Sequence, residues 1–477
     1  DVAPSRGLGD VYKRQVYEQV AYAISAEESD SIETIKKNRL YPNCLFVTPH
    51  VSELLSCLDD GCMAKILDFE CLDKEIRQSL NYVDIHKWEW NEAEMIKYYL
   101  DKDLEGEENQ IDAVLLLLKE CFCEMKNKGN GEWERIEKIE IPVNSLLFRA
   151  QRRGFYVNHE AILDECENCF SEMYHLKNKI QIEYNQVVPD VTQYMLDHHI
   201  SQWTIDHYKL KILAKKHPEL STYIQLNKTE KAFESLIYMS SFSENRRCQP
   251  QYKGFGSATG RIMMREPALQ NLKREYRKFL KDPDKEYIYI DYSQFEAGIL
   301  AGITKNKNLI DLYNKGTIYE ELMNLTKVDK DMAKTYFYCF VYGGIVVDGA
   351  KDFFEKYCPQ SEIDKIIKEY SQKGYVSSPL GNARMLDATS ENKWVVNHLI
   401  QSTSSLIFKQ ALLNVENSIY SNRYQLVMPM HDAALYIVDN LDKACKDDIE
   451  KQFKMAFKHY LPNITPIVKF KNYFEGE

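Results

Sequence analysis

Two aspartates beside apolar, strand-like runs are the residues of this 477-residue chain best suited to chemistry. Asp291 ends one such run, and Asp432 directly follows His431 after another. Two strand-borne carboxylates that face each other can bridge a pair of Mg²⁺ ions, which is what two-metal phosphoryl transfer requires. Either aspartate alone is more typical of a turn or a strand-end cap, but together they predict a phosphoryl-transfer site.

A lysine and two tyrosines recur between the aspartates with the spacing of one helix face. Lys334, Tyr338 and Tyr342 are four residues apart, and Lys330 lies one turn earlier. An ammonium group is a compact phosphate partner with three donors. A buried aromatic stripe would explain the tyrosines but not the two lysines among them, so the pattern favours a phosphate-binding helix.

The order of these groups resembles motifs A, B and C of the family A DNA polymerases, from about residue 139 to the C-terminus. The resemblance, closest to phage-type members, implies an α+β right-hand fold with a palm sheet, helical fingers and a helical thumb. It implies template-directed addition of deoxynucleotides to a primer 3′ end with two Mg²⁺ ions. Asp291 and Asp432 would then be catalytic metal ligands, and Lys334 would meet the triphosphate and protonate pyrophosphate.

The same resemblance implies a set of nucleotide-binding residues. Glu296 would lie against the sugar and exclude a 2′-hydroxyl, which argues against the single-subunit RNA polymerases. Tyr338 would lie near the sugar and allow dideoxynucleotides to be accepted. Lys330 would reach the γ-phosphate. Gln294 and Tyr319 complete the set, with Tyr319 standing where the family has a triphosphate-contacting histidine.

Primer-template DNA and deoxynucleoside triphosphates are the partners that the resemblance implies, with no membrane. Donors near the primer terminus would meet minor-groove acceptors that hardly distinguish one base pair from another. Tyr342 would pack where the templating base enters, and Gly343 would allow close backbone approach. The residues expected to bind primer-template are Arg261, Gln270, Asn271, Tyr342, Gly343, Lys393, Asn397, Gln401 and His431.

Three positions depart from the family pattern. Ala433 follows Asp432 where glutamate is common, Tyr319 replaces a histidine, and Lys393 replaces an arginine. These departures leave room for a slow or specialised enzyme. The alternative functions are a DNA-binding structural or regulatory protein with a decayed polymerase site and, less favoured, an RNA polymerase.

Composition sets broad limits on the chain. The formal charge of −11 is unusual for a nucleic-acid binder, but basic residues cluster between Lys273 and Lys281, and local potential steers a phosphate backbone. Twelve cysteines without a signal peptide predict the reducing cytoplasm of a bacterial or phage-infected cell. Cys166 and Cys169 form a lone pair that favours core thiols over a zinc site.

The first residues resemble a translated sequencing adapter, from Asp10 to Gln15. In the next segment, Asp68 with Glu70 and, separately, Asp112 resemble exonuclease motifs, but they are too close together for a complete nuclease. The expected boundaries are 1–15 for a non-native scar, 16–135 for an inactive exonuclease-like remnant, 136–158 for the palm entry, 159–250 for the thumb, 251–303 for the palm with motif A, 304–390 for the fingers with motif B, and 391–477 for the palm with motif C. A long helix from about His159 to Glu183 is expected to begin the thumb, and a helical region from about Leu309 to Gln372 is expected to form the fingers.

Overall fold

The computed structural model describes most of the chain between residue 131 and the C-terminus and short segments before it. The described residues are 12–16, 19–23, 45–48, 65–80, 131–184, 214, 217, 220–241, 243–244, 247–343, 348–386 and 394–475. They divide into two compact units. The first comprises the described residues of Asp1–Arg153, Gln251–Met264 and Lys285–Asn472, and the second those of Gly154–Pro250, Arg265–Asp284 and Tyr473–Glu477.

Fifteen strands are found among the described residues. They are β1 (Tyr12–Val16), β2 (Gln19–Ala23), β3 (Leu45–Thr48), β4 (Lys65–Asp68), β5 (Phe155–Tyr156), β6 (Ser243–Glu244), β7 (Arg247–Cys248), β8 (Gln251–Lys253), β9 (Met263–Arg265), β10 (Glu286–Tyr292), β11 (Tyr375–Ser378), β12 (Gly381–Met385), β13 (Tyr424–Pro429), β14 (Ala433–Val438) and β15 (Val468–Lys471).

Thirteen α-helices are found among the described residues. They are α1 (Phe69–Leu80), α2 (Glu132–Arg135), α3 (Ile141–Arg153), α4 (His159–Tyr184), α5 (Leu220–Ser241), α6 (Phe295–Thr304), α7 (Lys307–Lys315), α8 (Ile318–Thr326), α9 (Lys330–Val341), α10 (Asp348–Tyr357), α11 (Gln360–Lys373), α12 (Trp394–Glu416) and α13 (Lys443–Tyr460). A π-helical turn, Ile136–Glu140, joins α2 to α3, and short 3₁₀ helices span Leu269–Asn271, Arg274–Leu280 and Ser421–Arg423.

A four-stranded antiparallel sheet is the centre of the first unit. Its strand order is β13-β14-β10-β15, so β10 is paired on both sides. β10 buries Ile288 and Ile290 almost completely, which is the apolar run that predicted a strand. Tyr292, at its end, stacks on Phe295 with 4.3 Å between ring centroids and donates a 2.6 Å hydrogen bond to the carbonyl of Phe453 in α13. These contacts fix the end of β10 against the helical layer.

A series of helices follows β10, as predicted for the region from about residue 309 to 372. Their ends carry ordinary capping groups: the side chains of Asn306 and Asp329 accept from the third backbone N–H of α7 and α9, at 3.1 and 2.8 Å. Gly298 in α6 allows close packing, because a Cβ there would lie 2.4 Å from the ring of Tyr313. The caps fix where α7 and α9 begin, and the close approach at Gly298 packs α6 against α7.

A buried ionic cluster fixes α12, the long helix that crosses the first unit. Lys409, 1% exposed, donates to Glu140 at 2.6 Å, and Glu140 also accepts from Arg135 at 2.5 Å. Arg135 pairs in turn with Glu132, whose carboxylate accepts from the backbone N–H of Ala383. Breaking such a pair leaves an uncompensated buried charge, which costs about 3–5 kcal/mol. The position of α12 is therefore strongly specified.

The second unit is built on the pair of helices α4 and α5. The predicted helix starting at His159 is confirmed as α4. Its contacts with α5 bury a cluster that includes Met173, Ile180 and Tyr223. Cys166 and Cys169 of α4 are both buried with free thiols, as expected of core residues.

Asp68 and Glu70, which resemble an exonuclease motif, make hydrogen bonds and ion pairs within the first unit. Asp68 ends β4, and its carboxylate accepts a 3.1 Å hydrogen bond from the N–H of Cys71, which caps α1. Glu70 pairs with Lys74 at 2.6 Å and also contacts Lys253. Asp112, the other residue of that interpretation, lies outside the described residues. Among the described helices, none is both long and apolar enough to cross a membrane.

Candidate active site

Asp291 is the penultimate residue of β10, which pairs with β14 on one side and with β15 on the other. Opposite it in the register stand Ala433 of β14 and Lys469 of β15. The Asp291 side chain is 10% exposed, and one of its carboxylate oxygens accepts from the ammonium of Lys471. The sheet thus presents one buried carboxylate with a lysine partner at the end of its central strand.

Asp432 belongs to the tight connection between β13 and β14. The connection is closed by a 2.7 Å hydrogen bond from the N–H of Met430 to the carbonyl of Ala433. The N–H of Tyr292 donates to the carbonyl of Asp432 at 3.1 Å, which places this connection beside the end of β10. Two carboxylates 141 positions apart in the sequence, Asp291 and Asp432 (432 − 291), therefore become neighbours.

The charges of the two aspartates disfavour each other. Burial raises the pKa of Asp432 to about 7, and the negative charges of Asp291 and Glu296 add to the rise. Burial also raises the pKa of Asp291 above its ordinary value, while the contact with Lys471 opposes that rise. Like-charged carboxylates in one partly dry site are stabilised when a cation lies between them.

The donor set suits a hard divalent cation. Carboxylate oxygens are the ligands that Mg²⁺ prefers, and a Mg²⁺ site commonly needs only one or two protein carboxylates with substrate phosphates. Asp291 and Asp432 supply that number. Among the described residues, no group of three or more histidine, cysteine or acidic side chains forms a metal cluster. The residues present fit a metal that shares its ligands with a phosphate-bearing substrate.

Glu296, in the first turn of α6, is the centre of a hydrogen-bonded group. One carboxylate oxygen accepts from Arg261 at 2.5 Å, and the other accepts from the hydroxyl of Tyr342. Gln401 of α12 contacts the same hydroxyl, and burial raises the pKa of the Tyr342 phenol, which stays a donor. Four residues that the sequence assigned to nucleotide or DNA binding therefore form one network.

Tyr338 of α9 and Tyr342, the residue directly after α9, share one face, as their spacing predicted. Tyr338 and Tyr342 stack with 5.8 Å between ring centroids and a 17° angle between ring planes. Tyr319 of α8 donates a 3.3 Å hydrogen bond to the hydroxyl of Tyr338 and packs edge-on against Phe337. The Tyr338 hydroxyl keeps its own proton available to a group on the open side of α9.

The lysines of α9 leave their ammonium groups accessible. Lys334 is 44% exposed, with Asp331 at 3.7 Å, and its charge acts on Asp291. Lys330, one turn earlier, is exposed at the start of the helix. The exposed ammonium of Lys334 on α9 therefore acts on Asp291 and is also accessible to an anionic substrate.

A tight turn places Arg261 in the site. Gly260 has φ +72° and closes the turn with a 2.8 Å hydrogen bond to the carbonyl of Ser257. A Cβ on Gly260 would lie 3.0 Å from the ring of Phe255, so this position favours glycine on both counts. The hydroxyl of Ser257 then accepts from the N–H of Arg261 at 3.1 Å.

The other predicted residues of this unit take varied positions. Gln294 (φ +54°) precedes α6 and donates to the carbonyl of Gly316 at 2.9 Å, a contact that supports the backbone. Asn397 lies one turn before Gln401 on α12, with a buried Oδ1 that has no hydrogen-bond partner among the described residues. Gly343 (φ +75°) follows α9, and His431 is exposed beside Asp432.

Three predicted DNA-binding residues are not among those described near Asp291, Asp432 and Glu296. Gln270 and Asn271 belong to the second unit, in the 3₁₀ helix Leu269–Asn271. Lys393 lies outside the described residues. Their expected roles stay predictions.

Sequence reasoning missed the two lysines of β15. Lys471 contacts Asp291 directly, and Lys469 stands opposite Asp291 in the register. The alternation of Lys469, Phe470 and Lys471 is a weak strand signal that places both lysines on one face, but nothing local reveals that β10 is the neighbouring strand.

Comparison with known proteins gives a consistent result. The family model described as DNA polymerase family A matches residues 191–463, which is more than half of the chain. This match bears out the resemblance that the motifs indicated. DNA polymerase I of Chloroflexus aurantiacus is 26% identical over 50% of the chain and 30% of its own length. DNA polymerase I of Caldicellulosiruptor bescii is 23% identical over 79% of the chain and 52% of its own length.

A solved structure shares the fold. It is described as the POL domain of Pol1 from M. smegmatis in complex with DNA primer-template and dNTP, and it matches with a TM-score of 0.73. The match covers 90% of each chain at 16% sequence identity. The predicted α+β right-hand polymerase fold is confirmed by this likeness. The chain spans only about a third to a half of the length of the curated relatives above.

Proposed function

Because the chain belongs to DNA polymerase family A, we propose that it is a template-directed DNA polymerase that adds deoxynucleotides to a primer 3′ end. The observation that carries the proposal is the meeting of Asp291 and Asp432 at the end of β10, with the charge of Lys334 of α9 acting on Asp291. Primer-template DNA and deoxynucleoside triphosphates are the proposed partners, with a role in DNA replication or repair.

The reaction joins two negatively charged reactants, so the site must supply positive charge and position. We propose that Asp291 and Asp432 hold two Mg²⁺ ions, which when bound would neutralise phosphate charge and favour ionisation of the primer hydroxyl. The side chains of this protein supply the remainder. Lys334 pairs with the triphosphate and gives a proton to the departing pyrophosphate, while Lys330 binds the terminal phosphate.

Selection of the sugar is proposed for the group around Glu296. Arg261 and Tyr342 fix both oxygens of this carboxylate, so the side chain is rigid and a 2′-hydroxyl would meet a held group. Tyr338 lies beside Tyr342, and its hydroxyl proton is free to replace the contact that a missing 3′-hydroxyl would leave unmade. The site is therefore expected to prefer deoxynucleotides over ribonucleotides and to accept dideoxynucleotides.

Binding of the duplex is proposed for the residues that the resemblance assigned to primer-template. Arg261, Asn397 and Gln401 would supply donors and acceptors, and Gln270 and Asn271 belong to the same proposed set. The rest of the proposed set is Tyr342, Gly343, Lys393 and His431. The described cysteines are free thiols, which supports a reducing cytoplasm in a bacterial or phage-infected cell.

Primer extension with and without Mg²⁺ tests the proposal. A labelled primer on a longer template is incubated with all four deoxynucleotides, and products are separated by length. Template-dependent lengthening that EDTA abolishes is the expected result. DNA binding without extension at any Mg²⁺ or Mn²⁺ concentration would instead favour a DNA-binding protein with a decayed polymerase site. Ala433, which stands where the family commonly has glutamate, is the departure that motivates this alternative.

A further inference from the structure

The outer edge of the central sheet places two lysines beside Asp291. In the register of β10 and β15, Tyr289 stands opposite Lys471 and Asp291 opposite Lys469. Directly opposed residues of an antiparallel pair point to the same face, and every second residue of a strand shares that face. Lys469, Lys471 and Asp291 therefore lie on one face of the sheet.

Of the two lysines, Lys471 makes the direct contact. Its ammonium donates to Oδ2 of Asp291, while among the described residues Lys469 forms no ion pair with Asp291. The Lys471 side chain is 39% exposed, and β15 is an edge strand with one unpaired side in this sheet. A flexible four-carbon stem on such a strand can turn its ammonium into water without disturbing the sheet.

On its other side, Asp291 faces an uncharged neighbour. Ala433 of β14 is fully buried and stands directly opposite Asp291. A carboxylate there would add negative charge, whereas the lysines of β15 add positive charge. Arg261 pairs with Glu296 in the same site, so two of the three carboxylates each have a cation of the protein as partner.

We propose that Lys471 is a built-in counter-ion that holds Asp291 in the metal-free protein and must leave its carboxylate when a divalent cation binds. Lys471 is thus a positioning residue that sets the concentration of divalent cation at which the site fills. This inference rests on the proposed role of Asp291 as a metal ligand. The exchange involves no covalent step: a cation enters, and the ammonium moves into solvent.

The exchange is tested by the binding of Mn²⁺ to the full chain without DNA or nucleotide, followed through the spectrum of free Mn²⁺ in electron paramagnetic resonance. Lys471→Met removes the competing charge and should tighten binding by about two- to fivefold, the upper range for a partly exposed charge pair. Lys469→Met removes a lysine from the same strand and face without an ion pair, and should change binding by at most about twofold. Lys471→Arg keeps the charge and should behave like the parent.

Asp291→Asn separates failure of this inference from failure of the proposed metal site. If Asp291→Asn weakens Mn²⁺ binding but Lys471→Met leaves it unchanged or weaker, the counter-ion role is wrong and the metal site stands. If Asp291→Asn binds as the parent does, the metal site itself is wrong.

Folding is checked by thermal unfolding in EDTA, with Lys471→Gln as a second neutral variant. Tighter Mn²⁺ binding by either neutral variant that folds supports the exchange. Failure of both neutral variants to fold even with Mn²⁺ present would overturn the proposal, because the bound metal should replace the charge that the ammonium supplied.

Discussion

Asp68 and Asp291 both lie at the end of a strand in the first unit, yet their surroundings differ. Asp68 caps α1, and nearby Glu70 is held by Lys74 and Lys253. Near Asp291, by contrast, a second buried carboxylate, Asp432 in the connection between β13 and β14, raises the charge density, and the pKa of Asp432 rises to about 7 through burial and that repulsion. A strand-end aspartate is a candidate metal ligand when a second buried carboxylate shares its site and its own oxygens do not cap a helix.

Substitution of the aspartates should give the largest contrast between the two regions. Asp291→Asn and Asp432→Asn should each lower primer extension by at least about 10³-fold, because several kcal/mol of charge stabilisation is lost. Asp68→Asn should leave extension near the parent level. Extension rates are measured at saturating primer-template and Mg²⁺.

Primer-template affinity, measured by fluorescence anisotropy, is the control for these variants. Phosphate contacts from basic residues dominate affinity, so all three asparagine variants should bind within a few-fold of the parent. Equal loss of extension in Asp68→Asn and Asp291→Asn would contradict the distinction between Asp68 as a helix cap and Asp291 as a metal ligand.

The lysines near each acidic group offer the next contrast. Lys334→Met should lower the maximal extension rate by about 10²-fold, the lower range for removal of a positioned proton donor. Lys253→Met removes the lysine that contacts Glu70 and should leave that rate unchanged. Single-turnover incorporation of one nucleotide is the measurement. A parent-like rate for Lys334→Met would exclude it as the proton donor.

Tyr338 sharpens the comparison by testing whether the Asp291 region recognises a sugar. Tyr338→Phe should raise discrimination against dideoxynucleotides by roughly 5- to 150-fold, since an unsatisfied polar partner costs about 1–3 kcal/mol. Competition of the two substrates at one template position gives the ratio. Tyr336→Phe, on the same helix, is the matched control and should behave like the parent. Strong discrimination by the parent and Tyr338→Phe alike would contradict the placement of Tyr338 beside the sugar.

The smallest expected effect concerns the glutamate near each strand-end aspartate, Glu296 near Asp291 and Glu70 near Asp68. Glu296→Ala should increase ribonucleotide incorporation relative to deoxynucleotides by about tenfold, in the range for added room in a fitted pocket. Glu70→Ala should leave the ratio unchanged. Incorporation of a single ribonucleotide or deoxynucleotide opposite one template base measures it. An unchanged ratio in Glu296→Ala would argue against its steric role.

Local periodicity was sufficient to predict several elements of the structure. The apolar run before Asp291 forms β10, and the four-residue spacing from Lys334 to Tyr342 gives one helix face. The helix from His159 was equally apparent, because its apolar residues repeat at helical spacing over many turns. Each of these features depends on neighbours within a few residues, which is the information that a single sequence contains.

Contacts between distant segments could not be predicted in this way. The pairing of β15 with β10, and hence the contact of Lys471 with Asp291, depends on the packing of the whole sheet. Lys409 is a second example, since the single lysine of α12 gives no sign that Glu140 will be its buried partner. The hydrogen bond from Tyr319 to Tyr338 likewise needs the packing of two helices.

The strand order of the central sheet also affects how the protein folds. β10 pairs only with strands that come much later in the chain, and Asp291 and Lys471 are 180 residues apart. Pairing across such a distance requires closure of a long loop, whereas the intervening helices form from local contacts. During synthesis, Asp291 therefore leaves the ribosome well before either neighbour of β10 exists. The sheet that carries the carboxylates is completed only after the helices between its strands have been made.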